Sequence, residues 1–122
     1  MNFLLVFLGG GLGSVCRYLI GIWLMRHYHI FPWATLVANA LSCILFGAIV
    51  AFFAKGQLLD PRYKLLLLTG FCGGFSTFST FTNETWVLCT NQEWLYAFAN
   101  VLSSVLICLF CLYLGMQIVN RL

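Results

Sequence analysis

The stretch Thr69-Gly70-Phe71-Cys72-Gly73-Gly74-Phe75-Ser76-Thr77-Phe78-Ser79-Thr80-Phe81-Thr82-Asn83-Glu84 decides how this chain is read. It lies in the third of four apolar segments, where an uninterrupted membrane span would be filled with leucine and valine. Here a glycine pair is followed by five hydroxyls, at Ser76, Thr77, Ser79, Thr80 and Thr82, and then by an amide and a carboxylate. Glycine has the most backbone freedom to lose in a helix, so the pair predicts a helix broken near Gly73-Gly74. In hydrocarbon, carbonyls released by a break must find partners inside the protein or line a polar cavity. Half-helix ends at such breaks hold ions in other membrane proteins. The segment is therefore a candidate ion site.

Past the break the side chains sort by face. At about 100° per residue, Phe75, Phe78 and Phe81 share roughly a third of the circumference, with Thr82 on the same side. Ser76, Thr77, Ser79, Thr80, Asn83 and Glu84 occupy the opposite arc. One face offers ring edges and the other hydroxyl and amide donors. Hydroxyls that bond back to their own helix account for an isolated Ser or Thr. The whole ensemble points instead to a polar route for an ion.

Working outward, the 122 residues are 62% hydrophobic and only 7% charged, with a mean hydropathy of +0.98. Soluble domains carry about 25% charged residues, so the chain belongs in a lipid bilayer. A large polytopic transporter does not fit this length, and no boundary marks a soluble domain. The net charge of +3 is spread over six basic residues and forms no nucleic-acid patch. The N-terminal segment lacks a basic leader and a small-residue cleavage site, so it reads as a retained first span. All six cysteines fall in or beside apolar segments. Cys108 and Cys111 form a C-x-x-C without histidine or a second pair, and the expectation is small apolar packing residues.

Spans of about 20 apolar residues are expected at 3–25, 33–54, 65–89 and 94–119, within one membrane domain covering 1–122. In the first, Gly9, Gly13, Arg17 and Gly21 recur every fourth residue, extended by Gly10 and Ser14. Small residues at this spacing mark a helix–helix contact. Arg17 shares the stripe, so its guanidinium points into protein or a water-filled vestibule and is a functional candidate. The first loop, 26–32, with His27 and His29, reads as interfacial. Pro32 suits the start of the second span. There Thr35 and Asn39 share a face, and a buried asparagine in hydrocarbon must be satisfied. It does so either as glue to a neighbouring helix or by presenting its amide to an anion. Asn100 in the fourth span reads as a helix–helix bond, and Trp94 and Tyr96 as interfacial anchors. Lys55, Arg62, Lys64 and Arg121 fall on the side shared by both termini. The positive-inside rule favours that side as the cytoplasmic one by a modest margin.

The run around Cys72-Gly73-Gly74-Phe75-Ser76-Thr77-Phe78-Ser79-Thr80-Phe81 closely resembles the signature of the CrcB/Fluc family of small fluoride channels. That pattern reads approximately G-x-C-G-G-[LF]-T-T-F-S-T-F, and Ser76 stands where it usually has threonine. Pro32-Trp33-Ala34-Thr35-Leu36-Val37-Ala38-Asn39 resembles the family's second motif, with Ala34 where glycine is frequent. The resemblance implies an all-α integral membrane protein of four transmembrane helices, paired as an antiparallel, dual-topology homodimer. It implies a passive, fluoride-selective channel in the cell inner membrane that exports the ion and reduces its toxicity. Phe78 and Phe81 match the pore phenylalanines with Asn39 as their companion, and Ser79 and Thr80 match the polar track. The carbonyls of Gly73 and Ser76 match positions holding a structural sodium ion at the dimer interface. Arg17 is assigned to the vestibule by analogy. Glu84 keeps the family's acidic position, where hydrogen bonding within the polar arc would explain a carboxylate beside an anion pore.

No catalytic constellation, nucleotide loop or coupling motif is visible, so the expectation is a channel and not an enzyme or a pump. The alternative is a small proton-coupled multidrug exporter, also of four spans. That class relies on a carboxylate in the first span, and here that span carries Arg17 and no acid. A third reading is a non-transporting assembly subunit built on the glycine face.

Overall fold

A computed structural model describes residues 1–25, 30–56 and 60–122. Residues 26–29, with His27 and His29, and residues 57–59 of the second loop lie outside the described residues. Four helices are long and apolar enough to cross a membrane: Asn2–Met25, Trp33–Ala54, Pro61–Thr90 and Trp94–Asn120. No strand occurs among the described residues. The inside-out distribution of side chains suits a bilayer. Large residues such as Phe3, Phe7, Leu106 and Phe110 are exposed, while small ones, Ala38, Ala51, Cys72 and Ala97, are buried. Lipid tails solvate leucine as well as a core does, so close packing of small residues holds such helices together.

Local chemistry sets the helix ends. The second span stops at Lys55 and Gly56, and Gly56 adopts φ +66°, which glycine reaches without strain. The third starts on Pro61, with the Asp60 carboxylate accepting from the Arg62 backbone N–H at 2.9 Å.

Two glycine contacts build the bundle. Gly9 and Gly13 are buried against residues 61–75, where an added Cβ would strike the carbonyls of Leu66 and Phe71. Gly74 meets Gly10 in the same way. The second and fourth spans close on each other through Gly47, set against the Leu112 carbonyl, and Gly115, set against that of Ile44. The expected stripe of the first span thus makes contact as far as Arg17, which with Ser14 reaches the Gly74 carbonyl, and not at Gly21. A Cβ at Gly21 would meet nothing within 4 Å.

The third span is not one regular helix. Residues 61–64 are α-helical, Leu65–Cys72 form a π-helix, and Gly73–Phe75 return to α. Ser76 (φ −80°, ψ 157°) and Thr77 (φ −150°, ψ 116°) are extended, and Phe78–Thr90 is helical again. The break therefore falls just after the glycine pair, and Gly73 itself is helical at φ −64°, ψ −36°. Gly74 serves close approach to the first span, while the break is made by partners that draw Thr77 out of the helix. Two extended residues also reset the helical phase. Phe75 is buried against Phe71, with ring centroids 5.5 Å apart, whereas Phe78 is 79% exposed. The expected phenylalanine face survives for Phe78 and Phe81, whose centroids lie 5.7 Å apart, and not for Phe75.

Candidate ion site at the helix break

Three carbonyls near the break can be followed to their donors. That of Cys72 accepts from the Ser76 N–H at 3.0 Å, Ser76 Oγ at 2.9 Å and Ser42 Oγ at 3.2 Å. That of Gly74 accepts from Ser14 Oγ at 3.4 Å and Arg17 Nε at 3.3 Å. Asn39 grips Thr77 on both sides: its Oδ1 accepts from the Thr77 N–H at 2.9 Å, and its Nδ2 donates to the Thr77 carbonyl at 3.4 Å. Gly73 and Ser76 are treated differently. The N–H four residues ahead, which would close a helical bond to each, is diverted. Thr77 gives its N–H to Asn39, and Thr80 gives its N–H to Thr77 Oγ1 at 3.3 Å. The two carbonyls on which the sodium assignment rests are therefore released from their helical donors. Neutral carbonyl oxygens suit a hard cation, so the donor set fits sodium. Two oxygens are an incomplete shell.

Asn39, Phe78 and Phe81 come together on an open groove of about 400 Å³ between the second, third and fourth spans, with Ser104 across from them. Asn39 thus acts as glue to the broken backbone and still borders the groove. Thr80 and Arg17 lie elsewhere, in a second cavity of about 270 Å³ shared with Ser14, Thr35 and Glu84. Ser79 is exposed, its Oγ 3.3 Å from Thr77 Oγ1. Thr77, which was not among the candidate residues, borders both the groove and the cavity. Its hydroxyl caps the following helix and donates to Thr80 Oγ1 at 3.0 Å. The signal in the sequence was its position: a threonine directly before a helix start is a preferred cap.

Glu84 is tied to the second span and not to the arc on its own helix. Its Oε1 accepts from Thr35 Oγ1 at 2.7 Å, while Oε2 is buried without a partner among the described residues. Arg17 shares the cavity with Glu84. Among the described residues, however, the ion pair that forms is Arg62–Asp60, at 3.9 Å on the exposed surface. Arg17 thus contributes positive potential beside the break without being neutralised by a contact carboxylate. Farther along, the buried Asn100 donates to Thr85 Oγ1 at 2.9 Å, joining the fourth span to the third as expected of a helix–helix bond.

Residues 4–116 match the family described as CrcB-like protein, Camphor Resistance (CrcB). Over 121 residues, 97% of this chain and 95% of theirs, the sequence is 44% identical to proteins of Shewanella oneidensis and Shewanella baltica, both named fluoride-specific ion channel FluC. A match of this extent covers all four spans and both sides of the break, and the chain belongs to the CrcB family.

Proposed function

We propose that this protein is a passive, fluoride-selective channel of the inner membrane, exporting fluoride from the cytoplasm. The observation that carries the reading is the open groove on which Phe78, Phe81 and Asn39 meet at the break. It occurs in a chain 44% identical to proteins named as fluoride-specific channels. Fluoride is small, strongly hydrated and a strong hydrogen-bond acceptor. A pore for it must replace water with donors and avoid trapping the ion on a full positive charge. The electropositive edges of Phe78 and Phe81 offer weak coordination, and the Asn39 amide retains donor capacity beyond its bond to Thr77. Such sites hold an anion well enough to admit it and loosely enough to release it. Arg17 attracts the anion to the vestibule, and Ser79 and Thr80 supply hydroxyls on the polar track. Neutral HF enters cells and dissociates in a less acidic cytoplasm, and the membrane potential then drives the anion out through a passive pore.

The protein acts as an antiparallel homodimer in this reading. The carbonyls of Gly73 and Ser76 from each copy hold a sodium ion between the subunits, where two oxygens per chain complete one shell. Such an ion supplies fixed positive charge near the anion path.

Fluoride efflux from liposomes holding the purified protein, read by electrode beside matched chloride vesicles, tests the function. The expected result is rapid, electrogenic fluoride release with chloride retained. Phe78→Ile and Phe81→Ile each reduce the flux at least tenfold while the dimer persists, and unchanged flux in both removes the pore assignment. Replacing sodium by a larger organic cation is expected to lower flux and loosen the dimer on gel filtration. Indifference to the exchange removes the sodium site.

A further inference from the structure

One cluster of reactive side chains takes no part in the chemistry described so far. Cys43, on the second span, and Cys108, on the fourth, line one groove. The helix packing accounts for the pairing. Gly47 and Gly115 bring the two backbones so close that a Cβ on either would strike a carbonyl of the other helix, Leu112 for one and Ile44 for the other. One turn back from Gly47 stands Cys43, and one turn back from Leu112 stands Cys108. The close approach at Gly47 and Gly115 thus places the two cysteines on neighbouring turns of adjacent helices. Both cysteines are free, and neither is fully buried. They line the same groove as Asn39, Phe78 and Phe81. Cys111 is buried and does not line the groove, and among the described residues no three His, Cys, Asp or Glu side chains converge on one point. The site is a pair.

We propose that Cys43 and Cys108 form a two-thiol site on the groove wall for a soft, singly charged d10 cation, copper(I) or silver(I), whose binding stops the ion flux. Soft sulfur donors select such cations, which accept two ligands where zinc requires four. Two S–H bonds are exchanged for two sulfur–metal bonds and two protons pass to water in the groove, with no electron transferred. Two neutral thiols thereby become a dithiolate–metal unit of net charge −1. That charge sits beside the phenylalanine edges, where it repels an entering anion. The block rests on the reading of the groove as the fluoride route; the metal site itself does not.

The test uses the full-length protein in chloride-free nitrate buffer with silver nitrate as the probe. Excess monothiol then strips singly held ions, and intact-protein mass spectrometry counts what remains. Wild type and Cys16→Ala are expected to retain one silver ion. Cys43→Ala and Cys108→Ala are expected to retain none, with Cys43→Ser and Cys108→Ser as replacements for any alanine variant that does not elute like wild type. Retention by either pair variant, or none by wild type, overturns the site. In liposomes, silver is expected to reduce wild-type fluoride efflux at least tenfold and to leave each pair variant at its own silver-free rate. Silver retained by the pair with wild-type efflux unchanged overturns the block and takes the groove off the ion route. If wild type shows no efflux with or without silver, the retention assay still decides the metal site while the channel reading fails.

Discussion

The two halves of the third span are held in place by different balances of contact. Residues 61–75 are fixed chiefly by backbone pressed on backbone, with Gly74 against Gly10, and Gly9 and Gly13 against the Leu66 and Phe71 carbonyls, and side chains of Ser14, Arg17 and Ser42 add hydrogen bonds only at its end. Phe78–Thr90 is fixed by side-chain hydrogen bonds from other spans: Asn39 to Thr77 at its start, Thr35 to Glu84 and Asn100 to Thr85 along its length. The first arrangement tolerates no added atom and supplies rigidity. The second leaves room between helices, and both the groove and the Arg17 cavity border that half. A close-packed half thus adjoins a more open half at a two-residue break. Released carbonyls and polar side chains appear together there because the same partners create both.

The sharpest way to break this contrast is a methyl group. Gly9→Ala puts a Cβ into the Leu66 carbonyl and is expected to cost about 3 kcal/mol, the upper end for overpacking, since neither backbone can yield cheaply. Gly21→Ala, with nothing within 4 Å, is expected to gain about 0.5 kcal/mol from helix propensity. Unfolding in detergent reads both, and equal effects would dissolve the distinction between packed and open stripe.

Asn39→Leu comes next. It leaves the N–H and C=O of Thr77 without their partner and is expected to cost about 2 kcal/mol, within the range for unpaired buried polar groups. It also abolishes most of the flux. Asn39→Asp keeps the acceptor for the Thr77 N–H and is expected to retain more stability than flux. If both variants lose the two in proportion, Asn39 is glue alone. Asn100→Leu has the smallest effect. It removes a bond at the far end of the more open half, where Asn100 is only 1% exposed, for about 1 kcal/mol. Flux per folded protein stays at the wild-type level; a change there would extend the site beyond the break.

Much of this was legible in the residues. Composition and segment length specify four membrane helices because hydrocarbon admits little else. The small-residue spacing announces tight packing in the first span, and the Gly73-Gly74 pair beside a hydroxyl cluster marks the third as irregular. Asn39, Phe78 and Phe81 stood out as candidates, and the groove brings these three together. Other features were not legible. The break lies at Ser76 and Thr77 because Asn39 captures Thr77 from another helix, a contact with no local signature. Phe75 left the phenylalanine face for the same reason, since helical phase cannot be counted across extended residues. The cavity joining Arg17, Thr80 and Glu84, and the placement of Cys43 and Cys108 on one groove, depend on the register between spans.

The sequence by itself determined that this is a four-helix membrane protein with a polar interruption in its third helix. Hydrophobicity, side-chain volume and capping chemistry act locally and leave a local trace. Only the tertiary structure decided where the interruption falls, which carbonyls lose their helical donors and which polar groups share a cavity. Those outcomes turn on contacts between residues tens of positions apart, and in hydrocarbon a freed backbone group takes whichever partner the neighbouring helix presents.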